Sequence, residues 1–261
     1  LVLERYVHMA TREGVCQAVF PEGGLSRDGC LREPKLGILD YMLRNYEAEK
    51  DRDIVFVPVG INYDRTLEDR SLLRNLDPHA EKRTTWFAIK TTIGFAWRSV
   101  VLMILSRWQR FGYACVNFGP VISMQQYARQ NELDFSRMNR DLRFQEIEKF
   151  ARRLMTNIAN VIPILPVALV CSVVKASGND GLSAFEVESR VNELIEDLNM
   201  QEAPVYVSSR SRVQTILNAL NMLKLRKLVV ETDGIYRPAP GEMEVLSYYA
   251  NSIAHWKQST S

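Results

Sequence analysis

Cysteine and histidine are scarce in this chain of 261 residues. The four cysteines (Cys16, Cys30, Cys115, Cys171) lie far apart without a CxxC pair, and the three histidines are scattered. That excludes a disulfide framework and the usual zinc spacings, so no metal site is expected. Three of the cysteines sit in apolar runs, which predicts buried free thiols in a reducing compartment. Long hydrophobic runs are missing too: no stretch reaches the roughly 20 apolar residues of a spanning helix. Residues 161–174 (VIPILPVALVCSVV) come nearest, but they are short and hold two prolines. They predict a buried helix that starts near its prolines. A signal-peptide pattern is absent, and the chain opens on Leu inside a helix-like stretch, LVLERYVHMATREG. It reads as a fragment whose N-terminal part is missing. Acid is missing in one place: from Lys82 to Asn131 there is no Asp or Glu, against seven Lys or Arg. With a whole-chain charge of +2, the remainder stands at −5. Such asymmetry points to an anionic partner, membrane surface or nucleic acid.

What is present suggests an α/β chain followed by helices. Residues 15–21, 54–60 and 113–119 are short runs rich in Val, Phe and Ile bounded by Gly or Pro, the pattern of buried strands. Between the first two, Leu36, Leu39, Met42 and Leu43 recur at helical spacing. Strand, helix, strand implies an α/β layer arrangement. Residues 139–175 predict two helices, and KASGNDG reads as a linker. Two amphipathic helices and a hairpin turning at Asp233-Gly234 follow, a winged-helix-like order over about residues 182–238. Repeats and low-complexity segments are absent.

The most unusual stretch is VFPEGGLSRDG at residues 19–29. Gly23 and Gly24 let the backbone adopt positive φ and approach a ligand. Backbone N–H groups in such a turn, with Ser26 and Arg27, can meet an anion. Glu22 would repel that anion, so its role is to hold backbone N–H groups or an arginine and fix the loop. Spacing alone fits a plain glycine turn with solvated charges equally well. Neither GxGxxG nor a Walker A sequence is present, so the loop gives no support to nucleotide binding.

FPEGGLSRDG followed by PKLG resembles the third conserved block of the glycerolipid acyltransferases, Phe-x-Glu-Gly-x-Arg-Ser-Arg. VFVPVGINYDR, at residues 55–65, resembles their fourth block. YACVNFGPVIS and YYANSIAHW are similar to later segments of the bacterial glycerol-3-phosphate acyltransferases, so the resemblance covers nearly the whole chain. It implies an enzyme that moves an acyl group from acyl-CoA or acyl carrier protein to the 1-hydroxyl of glycerol 3-phosphate, the first step of phospholipid synthesis. In that family a His-x4-Asp histidine deprotonates the hydroxyl, which attacks the thioester without a covalent acyl-enzyme. No cofactor is implied beyond the thioester co-substrate. Carried onto this sequence, the substrate-site residues are Glu22, Gly23, Ser26 and Arg27, with Lys35 as a further phosphate candidate and Pro58 shaping the fourth block. The chain departs from the pattern at Leu25, where the family carries its first arginine. The anion would then be held by Arg27, Lys35 or groups upstream. The division implied is residues 1–135 as the end of the acyltransferase α/β domain and 136–261 as a helical C-terminal domain.

No histidine here fits the base. His8 precedes Glu13 in HMATRE, but the acid is Glu, the stretch is helical, and it lies too near the third block. His79 and His255 have Thr84 and Thr260 at the same offset. All three read as surface histidines, and the catalytic pair is expected upstream. In the acid-free segment, Trp86, Trp97 and Trp108 recur every eleven residues and so share one face of a helix. With Lys90, Arg98, Arg107 and Arg110 between them, they suit a bilayer interface, though a helix packed on the sheet has the same pattern. Family and charge together imply a peripheral or monotopic seat on the cytoplasmic face of the inner membrane.

Two rivals are set against this. Arg210, Arg212, Lys224, Arg226 and Lys227 could serve a DNA-binding winged helix, but the preceding helix is acidic (Glu186, Glu188, Glu193, Glu196, Asp197) and would repel phosphates. No nucleic-acid partner is expected, and a packing or regulatory module is the alternative. The nearer rival keeps the chemistry and changes the acceptor to lysophosphatidate or dihydroxyacetone phosphate.

Overall fold

The computed structural model describes residues 2–74 and 112–257. Trp86, Trp97, Arg98, Trp108 and His79 lie outside the described residues. The chain is mixed α/β, and all its strand ladders among the described residues are antiparallel.

Helix α1 (Val2–Arg12) buries Val7 and Ala10 and packs on α2 (Gly37–Leu43). Arg44, just past α2, donates to Glu4 and to the buried Asp40, and Arg143 reaches the other Asp40 oxygen at 2.9 Å. Two guanidiniums thus compensate one carboxylate taken out of water.

Residues 15–20 do not form the expected strand. They form no regular element, with Val15 and Phe20 exposed. A strand needs a neighbour to take its backbone groups, and no ladder among the described residues includes this stretch. The second expected strand is split in two. Strand β1 (Val55–Phe56) pairs with β4 (Ile122–Ser123), and β2 (Val59–Tyr63) pairs with β3 (Ala114–Phe118). Phe56 faces Ile122 while Val59 faces Phe118, so one extra residue bulges on the later strand. Pro58 sits at the break, where it has no N–H to give the ladder. Its carbonyl accepts the Gly119 N–H at 2.8 Å.

Helix α4 (Met124–Gln130) starts on Ser123, whose hydroxyl accepts the Gln126 N–H. Helix α5 (Arg140–Val161) starts on Asn139, which caps Leu142. Ile147, Phe150, Ala151 and Leu154 of α5 join Leu39, Leu43, Met124, Tyr127 and Phe135 in a first apolar core. At its other end, α5 meets the β2–β3 ribbon. Asn62 donates to the Pro163 carbonyl at 2.9 Å and Asn117 to the Val161 carbonyl at 3.0 Å. The Val161 carbonyl is one of the orphan acceptors at the end of α5, and Pro163 lies just beyond the C-cap Ile162. Gly60 is required there, since a Cβ would lie 2.4 Å from the Val161 oxygen.

Helix α6 (Pro166–Ser177) is the expected buried helix, with Pro166 in its first turn and every residue from 166 to 174 buried. It centres a second core with α7 (Ala184–Met200), α8 (Arg212–Leu225) and α9 (Met243–Asn251). KASGNDG covers the last residues of α6 and a partly exposed turn after it: α6 ends on Gly178 (φ +56), and a Cβ on Gly181 would lie 2.9 Å from the Tyr236 carbonyl oxygen. Strands β5 (Leu182–Ser183), β7 (Ile235–Pro238) and β6 (Val229–Thr232) form a sheet in that order. The hairpin turns at Asp233 (φ +54) and Gly234 (φ +77), the two positive angles of a type I′ turn. The short α10 (Ala254–Lys257) follows α9. No helix among the described residues is long and apolar enough to cross a membrane.

Candidate functional site: a closed loop at residues 21–35

The glycine-rich stretch is one closed loop. The Lys35 N–H donates to the Pro21 carbonyl at 2.8 Å, and the Gly23 N–H donates to Phe20 at 2.9 Å. Compact surface loops with tied ends frequently carry function. Inside the loop, Glu22 is half-buried and its carboxylate accepts the Arg32 N–H at 3.0 Å. Burial pushes its pKa up, opposed by that bond and by the Arg32 charge. Ser26 donates to the Cys30 carbonyl at 2.8 Å and accepts the Gly29 N–H at 3.0 Å. Asp28 accepts the Cys30 N–H at 3.1 Å. Most polar groups named in the sequence are therefore spent on holding the loop's own shape.

The cations lie at its surface. Arg27 and Lys35 are exposed, and so is Leu25. Gly23 (φ +75) lies directly under the Lys35 side chain: a Cβ there would be 2.5 Å from Lys35 Cδ and 2.9 Å from Nζ. The structure thus gathers Glu22, Gly23, Ser26, Arg27 and Lys35 in one loop, while Pro58 stands buried at the ribbon break. Neither the cleft of about 390 Å³ beside Glu49 and Arg137 nor that of about 420 Å³ beside Asp64 and Asn218 is lined by the loop.

Sequence reasoning missed what braces this loop. Gly29 (φ +85) touches α9, since a Cβ would lie 1.9 Å from the Tyr248 carbonyl oxygen. Asn251 donates to the Asp28 carbonyl at 2.9 Å. The segment YYANSIAHW carried a family likeness, but nothing in its spacing pointed to a loop so distant in sequence.

A second missed feature is a set of buried charges after β2. Asp64 accepts the Tyr113 N–H at 2.9 Å and the Val167 N–H at 3.0 Å, so it caps α6 from a distant segment. Burial raises its pKa in spite of both bonds. Asp69, which opens α3 (Asp69–Arg74), accepts from Tyr249 at 2.6 Å and from Arg226. Arg226 was counted in the sequence among cations for DNA. It lies instead against the Tyr249 ring with its charge committed to Asp69.

Two other expectations are corrected. His255 is half-buried rather than fully exposed: its ring nitrogen lies 3.0 Å from the Ala159 carbonyl, and burial lowers its pKa. Of the four free cysteines only Cys171 is buried: Cys16 is exposed in the unpaired stretch 15–20, and Cys30 and Cys115 are half-buried.

The family comparison covers the later part of the chain, including the α9 turn that braces the loop, and not the loop itself. Residues 99–259 match the family described as the glycerol-3-phosphate acyltransferase C-terminal region, and the chain belongs to that family. Among curated relatives, the glycerol-3-phosphate acyltransferase of Pseudomonas fluorescens is 35% identical over 134 residues, 51% of this chain and 15% of the relative. That of Pseudomonas aeruginosa is 34% identical over the same shares. That of Pseudomonas syringae pv. syringae is 33% identical over 143 residues, 55% of this chain and 16% of the relative. The matched stretch is thus a small part of each relative's length.

Proposed function

We propose that this chain is the C-terminal part of a glycerol-3-phosphate 1-O-acyltransferase, with the loop 21–35 as its acceptor site. Arg27 and Lys35 hold the phosphate, while Glu22 and Ser26 keep the loop in shape. The histidine base and its aspartate lie upstream, and the acyl group comes from acyl-CoA or acyl carrier protein. The acid-free segment with Trp86, Trp97, Arg98 and Trp108 meets an anionic membrane at the cytoplasmic face. The elements at residues 182–238 form a winged-helix-like module for packing rather than for reading nucleic acid; the commitment of Arg226 to Asp69, in the segment after β2, supports this.

The observation that carries the reading is the closed loop itself, with Lys35 laid over Gly23. A charge-assisted hydrogen bond is worth about 1.5–3 kcal/mol. Arg27→Ala in the full-length polypeptide should therefore raise the KM for glycerol 3-phosphate roughly 10- to 100-fold, with the KM for the thioester unchanged. An unaltered acceptor KM would overturn the site. These 261 residues alone should show no acyl transfer, and turnover by them would place the base inside the chain. Leu25, exposed where the family carries arginine, favours testing a second acceptor class. Lysophosphatidate and dihydroxyacetone phosphate belong beside glycerol 3-phosphate in the same assay. Trp97→Ala with Arg98→Ala should release the full-length enzyme from anionic vesicles on sedimentation.

A further inference from the structure

We propose that residues 248–251, the last turn of α9, are a positioning element that sets the acceptor loop and ties it to the segment after β2. The proposal rests on reading the loop 21–35 as the acceptor site.

On one side the turn grips the loop. The backbone of Gly29 runs against the Tyr248 carbonyl so closely that no side chain fits, and Asn251 donates to the Asp28 carbonyl at 2.9 Å. Asp28 follows Arg27 directly, and its carboxylate holds the Cys30 N–H. Asn251 thus holds the Asp28–Gly29 peptide, one residue beyond the backbone that carries the Arg27 guanidinium. On the other side the same turn grips residues 66–69. The Tyr249 hydroxyl accepts the Thr66 N–H at 3.1 Å and donates to Asp69 at 2.6 Å. Arg226 donates to the Tyr249 hydroxyl at 3.1 Å and also to Asp69, which locks the tyrosine in place.

One helical turn thus reaches two segments widely separated in sequence and holds them in fixed relation. Tyr248 meets the loop through its backbone carbonyl and Asn251 through its side chain, both from the same final turn. These residues act through the loop. Their value is geometric, since a displacement of about 1 Å at a binding group can cost on the order of 100-fold in rate.

The test uses the full-length polypeptide with Arg27→Ala and Asn251→Ala side by side. Asn251→Ala should raise the glycerol 3-phosphate KM about tenfold, with kcat within about twofold and the thioester KM and the unfolding midpoint unchanged. Asn251→Asp has the same shape but no N–H to give, so it should be at least as impaired. Asn251→Gln keeps a donor and should recover part of the loss. An acceptor KM that stays put in Asn251→Ala, while Arg27→Ala raises it, overturns this proposal and leaves the acceptor site standing. An unchanged KM in Arg27→Ala removes the acceptor site itself. A fall in kcat and in the unfolding midpoint, with both KM values moving alike, would mark Asn251 as ordinary packing and also overturn the proposal.

Discussion

Helix α6 and the β2–β3 ribbon are built from similar residues and meet opposite fates. In α6 every side chain from Pro166 to Val174 is buried, with α7, α8 and α9 around it. In the ribbon, Gly60, Asn62 and Asn117 turn toward the end of α5, while Val59, Ile61, Tyr63, Val116 and Phe118 face outward. Phe118 is 72% exposed. An apolar run states that a segment gains by being covered, at roughly 25 cal/mol per Å². Whether it is covered depends on a partner, and none of the described residues covers that face. Contiguous apolar surface of this kind marks an interaction site more often than bare surface.

Substitutions can break or sharpen this contrast. The largest effect is expected on the second core's charged edge. Arg226→Met leaves the Asp69 carboxylate, 4% exposed, without its cation and should cost about 3–5 kcal/mol in chemical unfolding. Leu169→Ala, at a site with no exposure, should cost about 2–5 kcal/mol by the same measurement. Ile61→Ala on the outward ribbon face should stay within about 0.5 kcal/mol. If it matched Leu169→Ala, the ribbon would be covered after all and the contrast would fail.

The smallest effect is a pH dependence. Burial lowers the His255 pKa below its usual 6.5, so the folded chain favours the neutral ring. Its contribution is complete above the unfolded value and is lost as pH falls through the lower folded one. The unfolding midpoint should therefore rise with pH across that window, and His255→Gln should flatten the slope. An unchanged slope would show that other groups set it.

Features made by neighbours in sequence were legible. The helices α5 to α8 follow from periodicity and from caps such as Ser183, and Asp233-Gly234 declares its hairpin. The loop 21–35 was legible for the same reason, because Glu22, Ser26 and Lys35 all make their ties inside it. Residues 15–20 were not, because a strand belongs to two segments and only one was being read. Asn251 was not either: its partner Asp28 lies 223 positions away, and an asparagine near a helix end has many uses.

The Asp64 carboxylate has a kinetic consequence. Its bonds to Tyr113 and Val167 span 49 and 103 positions, so neither can form until the chain has looped back on itself. Loop-closure entropy must be met before such distant contacts return anything. The opening turn of α6, though buried as deeply as its middle, should thus be among the last to gain hydrogen-exchange protection during refolding.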